Sequence, residues 1–145
     1  MKILGHPIHL IMVHFPAALF PMDLVCSFIY FYTADTAFRD AAFFALAGGV
    51  ITGWLAVFFG AVDLTQIAAD RPQVIKKAYL HGGINSLVIF FYTIMGFMQL
   101  DLYPHLPAAT LLNLLLKLGL VGLLTAGNYW GASLLLKDKV GIEHS

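Results

Sequence analysis

Charge and proline divide the chain into four apolar runs, roughly Ile8 to Tyr32, Ala41 to Val62, Ala78 to Gln99 and Ala108 to Leu136. Each reaches the ~20 residues that an α-helix needs to cross the hydrocarbon core of a bilayer. The connecting stretches TADTAFRD, DLTQIAADRPQVIKK and DLYPHLPAA carry Asp, Arg, Lys or Pro, which lipid-facing backbone does not accommodate. All three are short, and short connections favour neighbours that run in opposite directions. The sequence therefore predicts an all-α, integral membrane four-helix bundle, antiparallel and up-and-down, with residues 1–145 forming a single domain. Composition agrees, since 60% of residues are hydrophobic and only 11% charged, against about a quarter charged in soluble domains. Pro16 and Pro21 interrupt the first run and no small-residue cleavage site follows, so it is expected to be an uncleaved span rather than a signal peptide.

Basic residues orient the spans. Lys2, Arg71, Lys76, Lys77, Lys137 and Lys139 fall at the N-terminus, the second connection and the C-terminus, leaving Arg39 and Lys117 for the other side. The positive-inside rule then predicts that both termini are cytoplasmic. Eight basic and eight acidic side chains balance, which gives no reason to expect nucleic acid as a partner. Cys26 is the single cysteine, so an internal disulfide, a cysteine-based zinc site and a CxxCH-attached haem are excluded. Neither a phosphate-binding glycine loop nor HExxH nor GxSxG occurs, and an autonomous hydrolase or NTPase is not expected.

Four of six histidines sort to the cytoplasmic half of this topology. His6, His9 and His14 enter with the first span, and His81 in YLHGGIN enters with the third, while His105 and His144 lie in the outer connection and the polar tail. At a rise of ~1.5 Å per residue, His14 and His81 come to similar depth, roughly 9 and 5 Å. His6 and His9 are three residues apart and share a face, whereas His14 is turned about 140° from His9. Pro7 suits the first turn of a helix, with His6 as a cap and His9 in that turn. On this reading His14 looks into the bundle with His81, and Pro16 and Pro21 permit a kink that leans the histidine-bearing end on its neighbours.

A histidine inside a span is costly enough to be a functional candidate. Two imidazoles from different helices can clamp haem b between them as axial ligands, and His14 and His81 are the expected pair. Mutual or backbone hydrogen bonding, another metal, or a proton relay are the alternatives. Small residues that would admit the macrocycle, or simply pack helices closely, form stripes at Gly49, Gly53, Ala56 and Gly60 and at Gly119, Gly122 and Ala126, with Gly82 and Gly83 beside His81. Arg71, Lys76 and Lys77 are placed to meet propionates, Asp63 to hydrogen-bond a ligand histidine, and Asn85, Asn128, Tyr129 and Trp130 to complete a polar and aromatic ring. His6 and His9 are expected at the interface or as a second, shallow metal site. In the outer half, Asp23 and Lys117 fall at matching depth on different spans, which suggests a buried ion pair.

The stretches HPIHLIMVHFPAALF, GAVDL and LHGGIN resemble a bacterial membrane-protein family known as domain of unknown function 2231, whose pattern is HPxHPxxVHFP, Gly-x-x-Asp and His-x-x-x-Asn. The resemblance spans essentially the whole chain and marks His6, His9, His14, Asp63, His81 and Asn85; Leu10 stands where the family has a second proline. It implies a four-span protein of the bacterial inner membrane. The site residues add the expectation of a small b-type cytochrome-like subunit that transfers electrons within a respiratory or photosynthetic complex. Its partners are expected to be lipid, other membrane subunits or a redox partner, with quinone a further candidate. The alternatives are a structural accessory subunit and a histidine-lined metal transporter.

Overall fold

The computed structural model describes residues 2–3 and 6–138, with side chains from residue 8 onward. A two-residue antiparallel ladder, β1 (Lys2–Ile3) with β2 (His6–Pro7), precedes four helices: α1 (Ile8–Thr33), α2 (Thr36–Leu64), α3 (Pro72–Leu102) and α4 (Leu111–Leu136). All four are long and apolar enough to cross a membrane.

The helix ends show why α2 and α3 begin earlier than hydropathy alone suggests. The Asp35 carboxylate accepts from the backbone N–H of Ala37 at 3.0 Å and caps α2. Pro72 sits in the first turn of α3, where a missing N–H costs nothing, and Thr110 caps α4 by accepting from Asn113 at 3.2 Å. Polar first turns are thus helical although they lie outside the apolar runs. α1 stays helical through Pro16 and Pro21; each proline deprives the carbonyl four residues back of its N–H.

Only Ala34 and Asp35 separate α1 from α2, and Ala34 adopts the left-handed conformation at φ 56°. Its N–H donates to Tyr30 O at 2.8 Å. A β-carbon is disfavoured in that region, so Ala34→Gly is expected to stabilise the protein by about 0.5–1 kcal/mol after the entropy of a freer unfolded chain is subtracted. Unfolding in detergent reads this as a higher midpoint.

α1 packs on α2 and α4, and α3 packs on α2 and α4, so α1 and α3 stand diagonally across the bundle. Phe20, Leu46, Val88, Ile89, Tyr92 and Leu124 form the core. At its centre the Phe20 and Tyr92 rings stack, with centroids 3.9 Å apart and planes 7° from parallel. α2 admits its neighbours through missing side chains: a β-carbon on Gly49 would stand 2.6 Å from the Phe20 ring, and one on Gly53 would stand 3.0 Å from Ile89. That stripe packs helices closely, as small-residue stripes in membranes commonly do. The expected stripe on α4 faces the other way, since Gly119, Gly122 and Ala126 are exposed and β-carbons on the two glycines would meet nothing within 4 Å. Large apolar side chains such as Phe44, Phe58, Phe97, Leu112 and Leu116 point outward on all sides, as lipid contact requires.

Candidate functional site

At the end of the bundle where α1 begins, His9 and His81 meet across the diagonal. Their ring centroids are 6.2 Å apart and their planes 79° from parallel. Each ring is held from behind by the next helix in sequence. His9 Nδ1 donates to the carbonyl of Ala56 on α2 at 2.9 Å, and His81 Nδ1 donates to the carbonyl of Gly127 on α4 at 2.7 Å. A carbonyl only accepts, so Nδ1 carries a proton in both rings, and Nε2 is the lone-pair nitrogen of that tautomer when the ring is neutral.

A glycine one turn further along lets each ring approach. A β-carbon on Gly60 would stand 2.8 Å from His9 Cε1, and one on Gly131 would stand 2.6 Å from His81 Cε1. The two supports are copies of each other. His9 and His81 are 72 residues apart, while Ala56 and Gly127, like Gly60 and Gly131, are 71 apart. Phe20 and Tyr92, which stack on each other, are again 72 apart. The hairpins α1–α2 and α3–α4 therefore carry a pseudo-two-fold repeat of residue positions, in the histidines, their carbonyl partners, their glycines and the stacked rings. The sequence carries this as AVFFGA at 56–61 and GNYWGA at 127–132, a short internal repeat that identifies His9 as the counterpart of His81.

His14, expected to face His81, does not. It is exposed on the outer surface of α1, and its Nδ1 donates to the carbonyl of Leu10 in its own helix. The angular offset from His9 is the cause: with His9 turned inward, a residue about 140° further round points out. His9, expected at the interface or in a shallow second site, instead takes the inward position, and the His6 side chain lies outside the described residues.

The surroundings of the two rings differ. Asn85 brings its amide nitrogen to 3.3 Å from His81 Nδ1 and donates to Asn128 Oδ1 at 3.2 Å. Asn85 Oδ1 is buried with no hydrogen-bond partner among the described residues, close against Gly127. The equivalent positions beside His9 are Val13 and Val57. Asp63 lies half-buried in the last turn of α2, one turn beyond Gly60. Of the basic residues expected near propionates, Arg71 donates to the backbone carbonyl of Asp138 at 2.6 Å and Lys77 pairs with its carboxylate at 2.9 Å, while Lys76 is exposed. Tyr129 points outward, and Gly82 and Gly83 face open space.

The arrangement offers two imidazoles, each with Nδ1 held by a backbone carbonyl. Among the described residues no three His, Cys, Asp or Glu side chains converge as a set that could hold a metal ion by themselves. Further out, the ion pair expected from matching depth is present: Lys117 Nζ lies 2.6 Å from Asp23 Oδ1 and donates to Ser27 Oγ at 2.8 Å, with Asp23 0% and Lys117 2% exposed.

Compared with known proteins, residues 5–144 match the model of the family described as predicted membrane protein (DUF2231). No curated protein and no solved structure matches the chain.

Proposed function

The chain belongs to the DUF2231 family of predicted membrane proteins, and from the geometry of its histidines we propose that it is a small b-type cytochrome-like subunit of the bacterial inner membrane, in which His9 and His81 would hold one haem. One observation carries the reading. The repeat brings together two imidazoles from diagonal helices, each with Nδ1 fixed by a backbone carbonyl. A hydrogen bond on the far nitrogen orients a metal-binding imidazole and raises its basicity.

The spacing supports the same reading. The two imidazoles come from different helices and stand 6.2 Å apart between ring centroids. Two protein donors alone are a poor set for a bare cation but suffice for a macrocycle that brings its own four nitrogens. Bound haem supplies an iron that takes up and releases one electron. The chain's residues orient the donors: Gly60 and Gly131 let the rings reach their carbonyls, and Asn85 with Asn128 makes the His81 side more polar.

Contacts that descend along one helix as they ascend along the next, such as His9 with Gly60 and Phe20 with Gly49, favour the antiparallel arrangement. The clustering of Lys2, Arg71, Lys76, Lys77, Lys137 and Lys139 favours cytoplasmic termini. Short connections make a neighbouring membrane subunit, or a quinone, the natural electron partner.

The visible spectrum of detergent-purified protein from haem-replete cells, oxidised and then reduced with dithionite, tests the proposal. A reducible b-type spectrum at one haem per chain is expected. A colourless preparation overturns it and leaves the second reading, a structural subunit whose histidines are polar groups satisfied by Ala56 and Gly127, which those two hydrogen bonds favour.

A further inference from the structure

Two buried oxygen atoms in the outer half of the bundle lack the hydrogen bonds that their burial demands. Asp23 Oδ2 has no donor and Tyr92 Oη no acceptor among the described residues, and both side chains are 0% exposed. Polar groups so buried in native proteins are almost always paired, and an orphan commonly marks an ordered water.

The two orphans face one interior. Phe20 stacks on Tyr92 and sets its ring. Asp23 is three residues along α1 from Phe20 and so shares the face that Phe20 presents to Tyr92. Asp23 is not free to turn toward it, because Lys117 and Ser27 hold Oδ1 at 2.6 and 3.4 Å. The pseudo-symmetry sharpens the point: at the position equivalent to Tyr92 the chain uses Phe20 for the same stacking, so packing alone does not require the hydroxyl.

We propose that one internal water molecule binds between Tyr92 Oη and Asp23 Oδ2, accepting from the phenol and donating to the carboxylate. The chemistry selects this ligand. The site needs a donor and an acceptor at once, the Lys117 ammonium opposes a cation, and the carboxylate opposes an anion. The bound water links α3 to the α1–α4 ion pair across the diagonal.

Tyr92→Phe tests this in two backgrounds, wild type and the Asp23→Leu/Lys117→Leu double variant, by unfolding in detergent. With the water bridge, the substitution lowers the folded-to-unfolded ratio about five- to tenfold in the wild type and leaves it unchanged in the double variant. A neutral or stabilising effect in the wild type overturns the proposal, as does an equal loss in both backgrounds. If the double variant does not fold, an experimental structure at water-resolving resolution decides: density within hydrogen-bond reach of both oxygens supports the site, and empty space between them, with other internal waters visible, overturns it. Neither measurement depends on haem.

Discussion

Alanine at either His9 or His81 is expected to abolish the reducible visible spectrum that the proposed haem would give, whereas alanine at His14 leaves it intact. Partners that merely orient a metal-bound histidine are worth about 10–100-fold in affinity, so removing the ligand itself is expected to weaken haem retention by at least about 100-fold. Both losses are expected, because each imidazole has the same backbone-carbonyl support. His14 separates this assignment from one based on depth alone, since it lies at similar depth but is exposed on the outer surface. Helical circular dichroism and a monodisperse detergent elution profile establish that the variants fold. Retention of the spectrum in His9→Ala together with its loss in His14→Ala would overturn the pairing.

The second large effect is expected at the buried ion pair. Lys117→Met leaves the Asp23 carboxylate without its counter-charge between α1 and α4, and breaking a buried pair from one side costs about 3–5 kcal/mol. Set against total stabilities of about 5–15 kcal/mol, that is a large fraction. Steady-state membrane level and unfolding midpoint should both fall sharply. Asp23→Leu combined with Lys117→Met removes both charges and fills the space with apolar groups, which is often neutral or stabilising. The double variant is therefore expected to recover most of the loss. If it is as unstable as the single variant, Asp23 has a further role beyond pairing with Lys117.

Much of this architecture is legible in the sequence because lipid imposes strict demands. Every span must be long, apolar and helical, which makes the four elements plain, and two opposite charges at matching depth have few options but each other. Which way a helix is turned about its own axis is harder to read. In lipid both faces of a span are apolar, so no polar stripe distinguishes inside from outside. That is why the spacing separates His9 from His14 but does not by itself say which faces the bundle. The same ambiguity affects α4, where Gly127 and Gly131 face inward and the row of Gly119, Gly122 and Ala126 faces out. The echo of AVFFGA in GNYWGA, together with the matching separation of His9 and His81, is the signal that resolves both.

The repeated hairpin has a consequence for tuning. An assembly of two identical hairpins would have to surround both imidazoles identically, since any substitution would appear twice. Joined in one chain, the halves need not match, and beside the rings they differ: Val13 and Val57 hold the positions next to one, Asn85 and Asn128 the equivalent positions next to the other. A single amino-acid change can therefore alter the polarity around one imidazole and leave its twin untouched.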